Sequence, residues 1–213
     1  FNNAGVGAAC DTLEEALPSW DTLKRMIDIN VNACCLGTYL AIASFKADGV
    51  SKGAVVTTAS MAGLLPVGAP PIYSMTKAAN IQFTRATAAQ LGGDASDIRV
   101  YALCPSYTAT GLGPDPEVIK AALGGVLMPK HMAEGFMFLV EGDLPNGSVM
   151  RVTARRRGTR VVHDLVTYGK ELGGAAKPRS GFLIKEALLE EYNGPAHKTK
   201  DSFGNEMLSR GKL

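Results

Sequence analysis

Leu23, Met26, Ile27, Val31, Cys34, Cys35, Thr38, Tyr39 and Ile42 recur at helical spacing and predict one long helix from Trp20 to about Asp48. Two asparagines, Asn30 and Asn32, interrupt its apolar stretch, where an amide without a partner is unfavourable. Gly53–Ser60 (GAVVTTAS) is short, β-branched and nearly all apolar, the pattern of a buried parallel strand. Ile72 to about Leu91 reads as a second helix, stopped by Gly92 and Gly93. Ile98–Leu103 is the next strand, ended by Pro105. A loop with Gly111, Gly113, Pro114 and Pro116 then leads to a short helix near Val118–Leu123 and a longer one over His131–Glu141. Loops of this kind, leaving the carboxyl end of a strand, commonly carry substrate contacts. Gly147–Thr153 is the last strand that the pattern predicts. Strand alternating with long helix points to βαβ units, hence an α/β fold on a parallel sheet.

The ends of the chain read differently. FNNAGVG (Phe1–Gly7) is a glycine-containing polar turn that follows a strand end, and a loop continues to about Pro18. Arg155, Arg156, Arg157 and Arg160 form a basic cluster, which reads as a solvated loop face in preference to a phosphate site. From His163 the sequence is polar apart from a helical stretch around Phe182–Tyr192, and the last twenty residues are expected to be poorly ordered. The expected division is residues 1–162 and a polar, partly helical or disordered extension over 163–213.

Composition narrows the function classes. The 213 residues suit one domain with a substantial core, and 46% hydrophobic with 20% charged residues is an ordinary soluble composition. A net charge of +2 gives no reason to expect nucleic acid or an anionic membrane as partner. No apolar run reads as a bilayer-spanning segment. Cys10, Cys34, Cys35 and Cys104 lack metal-ligand spacing and read as reduced thiols, with no metal implied. The chain opens on Phe1 inside a strand-turn pattern, so it reads as a fragment. A cytoplasmic protein is expected, with targeting not assessable upstream of Phe1.

The chemistry concentrates in SMAGLLPVGAPPIYSMTK (Ser60–Lys77). Tyr73 lies thirteen positions after Ser60, and Lys77 four after Tyr73. On a helix that last spacing puts phenol and ammonium on one face. A nearby positive charge favours the phenolate, so the pair is a candidate proton carrier near neutral pH.

Ser60, Tyr73 and Lys77, with NNAG upstream and CPSYTAT after the following strand, resemble the catalytic signature of the short-chain dehydrogenases/reductases. The resemblance implies a Rossmann-like doubly wound parallel sheet, here lacking its first βαβαβ portion. It implies that the turn Asn2–Gly5 supports the cofactor, with Asn2, Ala4 and Gly5 in that role. Asn30 matches the helix asparagine whose irregular backbone holds a water of a proton relay; Asn32 has no match and reads as a surface or capping group. Ser60 would hydrogen-bond the substrate oxygen and Tyr73 would exchange the proton. Lys77 would bind the nicotinamide ribose and lower the tyrosine pKa. Pro105, Ser106, Thr108 and Thr110 match the segment beside the nicotinamide, with Thr110 near its carboxamide and Ser106 in place of the usual glycine.

Gly37–Leu40, GLLPVGAPPIY and NGSVMRVT narrow the resemblance to 15-hydroxyprostaglandin dehydrogenase-like members. That implies NAD and a small secondary alcohol or ketone, a lipid-like one included. Pro70, however, stands where such members carry a substrate-holding glutamine, and proline offers no side-chain hydrogen bond, so prostaglandins are not implied. Family members often pair through the two long helices, so a homodimer or higher homo-oligomer is expected. Two alternatives stay open: an NADPH-dependent carbonyl reductase of the same fold, and a truncated, non-catalytic homologue acting as a dimerisation module.

The glycine-rich turn and the acidic residue that selects NAD or NADP belong upstream of Phe1 in such a fold. These 213 residues alone are therefore expected to be inactive, poorly soluble and without measurable dinucleotide binding. Calorimetry that finds NAD bound at micromolar affinity overturns that expectation.

Overall fold

A computed structural model describes residues 1–7, 19–49, 52–66, 70–113, 115–123, 125–154, 161–166, 196–200 and 206–210. They fall into two compact units, Phe1–Thr167 and Tyr168–Leu213. The first is built on a four-stranded sheet of β1 (Gly53–Thr58), β2 (Ile98–Pro105), β3 (Val149–Ala154) and β4 (Val161–Leu165), in that order. The first three strands run parallel, with Val55 opposite Val100 and Ala102 opposite Val149. Asn2 adds a parallel bridge on the outer side of β1, through Asn2 N–H to Val56 O and Thr58 N–H to Asn2 O, both 2.9 Å.

Helices cover both faces, as a near-continuous apolar strand requires. α3 (Pro71–Gln90) and α2 (Ala33–Ala47) meet one face, where Ile42, Val55, Ala88, Ile98 and Val100 cluster. Further along the same face Ala59, Ile81, Ala102, Cys104 and Val149 close the core. α5 (Pro129–Glu141) meets the other: a Cβ on its Gly135 would stand 3.1 Å from Leu103 and 3.2 Å from Val152. β1–α3–β2 and β2–α5–β3 are thus crossovers on opposite faces, the Rossmann-like doubly wound arrangement. α4 (Pro116–Leu123) is the short helix between β2 and α5.

The first long helix is continuous but not uniform. α1 (Trp20–Ile27) is capped by Ser19, whose hydroxyl accepts the Thr22 N–H at 3.2 Å. It passes through a π turn, Asp28–Asn32, into α2. By length and composition alone Trp20–Ala47 is apolar enough to cross a bilayer, a test that core helices also pass. Here the helix lies against β1 and α3 and buries Asn30 and Thr38 in hydrogen bonds.

β4 follows the strand predicted to be last. It pairs antiparallel with β3, Val152 opposite His163, and an ion pair of 3.1 Å joins Arg151 to Asp164. Five residues with His163 and Asp164 among them give no apolar run, so only the pairing reveals the strand. The first unit extends to Thr167 because β4 belongs to its sheet. In the second unit the described residues form an antiparallel ribbon, β5 (Ala196–Lys200) with β6 (Glu206–Arg210), where the sequence suggests poor order. Ladder pairing is a backbone property and needs no apolar pattern. Cys10, the arginine cluster 155–160 and the stretch 182–192 lie outside the described residues.

One contact fixes how the chain leaves β1. A Cβ at Gly63 would stand 2.6 Å from the Lys77 carbonyl carbon and 2.7 Å from the Ala78 nitrogen, backbone atoms that cannot rotate aside. Gly63→Ala is therefore expected to lower stability by about 1–3 kcal/mol through overpacking. A urea midpoint equal to wild type at unchanged slope contradicts this.

Candidate active site

Two prolines start α3: Pro70 caps it in an extended conformation and Pro71 takes the first helical position, where a missing N–H costs nothing. Tyr73 therefore sits in the first turn, half-buried, with Lys77 one turn on. From the other side, β1 ends at Thr58 and Ser60 begins the 3-10 turn Met61–Gly63, its Oγ accepting the Ala62 N–H at 3.1 Å. The same Ser60 side chain is the polar neighbour that draws the pKa of the Tyr73 phenol down. Lys77 Nζ lies 5.6 Å from the Tyr73 ring centroid and donates to the Thr58 carbonyl at 2.9 Å. Ser60, Tyr73 and Lys77 are thus brought together at the carboxyl end of β1.

Asn30 joins them from the π turn. Its Oδ1 accepts the Val6 N–H at 2.8 Å; its Nδ2 donates to Val6 O at 2.9 Å and to Thr76 Oγ1 at 3.2 Å. Its own carbonyl accepts Asn80 Nδ2 at 2.9 Å. Gly5 passes so close that a Cβ there would lie 3.5 Å from both Asn30 Oδ1 and Lys77 Nζ. Asn32 is exposed and donates to Asp28 Oδ1 at 2.9 Å.

The other expected contacts divide. Asn2 directs its amide inward, to Cys34 O at 3.2 Å and Thr38 Oγ1 at 2.9 Å, and so ties α2 to β1. Ala4 is exposed. Pro105 closes β2, Ser106 N–H bonds Val152 O at 2.8 Å, and Thr108 Oγ1 donates to Ser106 O at 3.2 Å. Thr110, exposed, accepts the Leu112 N–H at 3.2 Å. These residues share the strand-end side of the sheet with Ser60, while their hydrogen bonds stay within the loop or go to β3. Thr58, Thr76 and Asn80 are the site residues the sequence reading missed. The signal for Thr76 and Asn80 was a polar stripe, Thr76, Lys77, Asn80, Thr84 and Thr87, at helical spacing on the buried face of α3.

Electrostatically, burial dominates. It pushes the Tyr73 phenol above its ordinary value, and Ser60 only partly opposes it. It lowers Lys77 below its ordinary value. Cys104 is pushed up to about 12 by burial, so it stays a thiol at neutral pH. Lys77 is not among the groups that shift the Tyr73 phenol; burial raises it and Ser60 acts the other way. Lys77 is 4% exposed, and among the described residues no carboxylate pairs with it. An ammonium has three donors and Thr58 takes one. Two remaining donors beside a backbone that lacks a Cβ suit the paired hydroxyls of a ribose. Among the described residues no cluster of His, Cys, Asp and Glu could hold a metal. An open apolar cleft of about 390 Å³ between the 3-10 turn and α3 is lined by Leu64, Pro66, Met75 and Ala78 among others. Ser60, Tyr73 and Lys77 do not line it, so the chemistry lies elsewhere.

A family model described as short chain dehydrogenase matches residues 1–116. The chain is 30% identical over 171 residues to the NAD(+) 15-hydroxyprostaglandin dehydrogenase of Mus musculus, covering 73% of this chain and 60% of that protein. It is 30% identical over 150 residues to the meso-2,3-butanediol dehydrogenase of Serratia marcescens, covering 67% and 57%. In three dimensions it is similar to a 3-ketoacyl-(acyl-carrier-protein) reductase from Brucella melitensis complexed with NADH. That match has TM-score 0.63 at 28% identity, covering 73% of this chain and 65% of the other. The chain thus spans 60% or less of the length of these two curated relatives.

A raised phenol pKa has a measurable sign. Between the unfolded value of about 10 and the higher native one, the unfolded chain releases its proton first, so stability falls as pH rises through that window. The tyrosinate absorbance that wild type shows and Tyr73→Phe lacks is expected to have its midpoint above about 10. A midpoint below that value contradicts the burial argument.

Proposed function

Because this chain belongs to the short-chain dehydrogenase family, we propose that it carries the acid/base half of an NAD-dependent oxidoreductase acting on a secondary alcohol or its ketone. The observation that carries the reading is the linkage of Ser60, Tyr73 and Lys77 around the end of β1, with Asn30 one contact away. Packing alone does not require a buried lysine beside a half-buried phenol.

Tyr73 Oη exchanges the proton: as phenolate it accepts the hydroxyl proton of the alcohol, and as phenol it returns one to the carbonyl oxygen. Ser60 Oγ hydrogen-bonds that same oxygen and holds it against Tyr73. A bound nicotinamide dinucleotide supplies the two-electron acceptor or donor. Lys77 would hold its ribose, the Asn2–Gly5 turn gives it room, and Ser106, Thr108 and Thr110 would line its nicotinamide end. At pH 7 a phenol near its reference value of about 10 costs about 4 kcal/mol to ionise, and burial adds to that. Base catalysis therefore draws on the positive charge of Lys77, whereas acid catalysis needs no such help. That asymmetry supports a second reading, a carbonyl reductase of the same fold.

The NAD preference rests on the 15-hydroxyprostaglandin dehydrogenase likeness, and Pro70 argues for a substrate without that group's amide contact. Leu36, Tyr39 and Leu40 on α2 and Met75 on α3 are all exposed, which supports a homodimer through these helices. We place the enzyme in the cytoplasm.

Tyr73→Phe in the intact protein is expected to lower kcat by about 10²–10⁴-fold, the usual contribution of a positioned acid/base, with NAD affinity nearly unchanged. Turnover retained at the wild-type rate would leave the non-catalytic, dimerising homologue as the better reading.

A further inference from the structure

A π turn widens a helix by one residue, so its carbonyls lose their ordinary partners four residues on. In Asp28–Asn32 the Ala33 N–H reaches back five residues to Asp28 O. The Asn30 carbonyl is met from another helix, by Asn80 Nδ2 at 2.9 Å. Asn80 is 1% exposed and lies three residues beyond Lys77 on α3, in a stripe where an aliphatic side chain would bury more favourably. Its Oδ1 has no hydrogen-bond partner among the described residues. Turning the amide over would set Oδ1 against the Asn30 carbonyl, two acceptors face to face, so the N–H assignment stands on chemistry. The side chain thus tolerates an unsatisfied acceptor to keep one donor in place.

That donor completes a grip on Asn30 from both ends. Val6 and Thr76 hold its side chain, and Asn80 holds its backbone. Thr76 Oγ1 also bonds the Tyr73 carbonyl at 2.8 Å, and Thr84 Oγ1 bonds the Asn80 carbonyl at 2.9 Å. Tyr73, Thr76, Lys77, Asn80 and Thr84 are successive positions of one helix face, so the clamp and the proton carrier share a rigid support.

We propose that Asn80 is a positioning residue for proton transfer: by binding the Asn30 carbonyl it keeps the π turn formed, and the π turn holds Asn30 on Thr76 of the Tyr73–Lys77 helix face and on Val6, next to the Gly5 that passes Lys77 Nζ. The proposal rests on the reading of Tyr73 and Lys77 as the acid/base pair.

Two variants of the intact protein test it. Asn80→Leu removes the donor at similar volume. Asn80→Asp keeps the shape and can donate only while its carboxyl is protonated. Hydrogen exchange without cofactor reads the clamp: Asn80→Leu is expected to speed exchange across Asp28–Thr38 by about tenfold or more, with Ile98–Pro105 unchanged. Asn80→Asp is expected to regain protection there as pH is lowered, after correction for intrinsic rates. In assay, Asn80→Leu is expected to lower kcat by about tenfold or more while KM and NAD affinity stay within about twofold. Unchanged exchange in the turn overturns the proposal, and so does equal loosening of turn and strand, which marks plain packing. A loosened turn with wild-type kcat overturns it as well. Should Asn80→Leu fail to fold, the pH dependence of exchange and kcat in Asn80→Asp decides by the same criteria. If Tyr73→Phe retains turnover, the acid/base reading fails on its own, and the exchange data still judge the clamp.

Discussion

An ammonium taken out of water must be met by acceptors, and Lys77 meets the Thr58 carbonyl while lying 4% exposed. That bond joins α3 to the end of β1, and much else follows from it. Gly63 has to be bare because the 3-10 turn runs against the Lys77 backbone. Gly5 brings the 2–7 turn close to the Lys77 nitrogen, where a Cβ would stand 3.5 Å away. The prolines that start α3 fix where its first turn begins, and hence that Tyr73 lies one turn before the lysine. A charge buried with so little compensation is poorly explained by stability, which is why the site and not the core gives the better account of it.

Burial acts on phenol and ammonium in opposite directions, raising one and lowering the other. In both cases burial disfavours the charged form. Ser60 is the one neighbour that acts against burial at the phenol, while its Oγ also caps the turn that follows β1. Its hydroxyl therefore links the electrostatics of Tyr73 to the local path of the chain.

The parallel core was legible because its strands are apolar throughout and its helices repeat at three and four residues. β1, β2, β3, α3 and α5 fall close to where the pattern predicts them. Ser60, Tyr73 and Lys77 were legible because their chemistry depends on spacing along the chain. What stayed hidden depends on pairing across space. β4 is a strand only because β3 offers its edge, and it carries His163 and Asp164 where a periodic strand would carry apolar residues. Thr58 acts through a backbone carbonyl that any residue could provide. Asn80 looks like an ordinary polar interruption until the carbonyl it binds is known. Asn30 was conspicuous in sequence as a misplaced amide, and its partners, the Val6 backbone, Thr76 and Asn80, explain why it is tolerated.

The π turn also settles a problem of phase. Along Trp20–Ala47 the buried positions are Met26, Asn30, Cys34, Thr38 and Ile42, spaced by four throughout. In a regular helix each such step overshoots a full turn by about 40°, so four steps would carry the stripe about 160° around. The extra residue in the π turn takes back about 100°, which leaves the stripe within the roughly 100° width of one face. A single inserted residue thus works as a phase correction. It lets one helix keep a single buried face, first against α3 and then against β1, and it does so at the asparagine that meets Val6, Thr76 and Asn80.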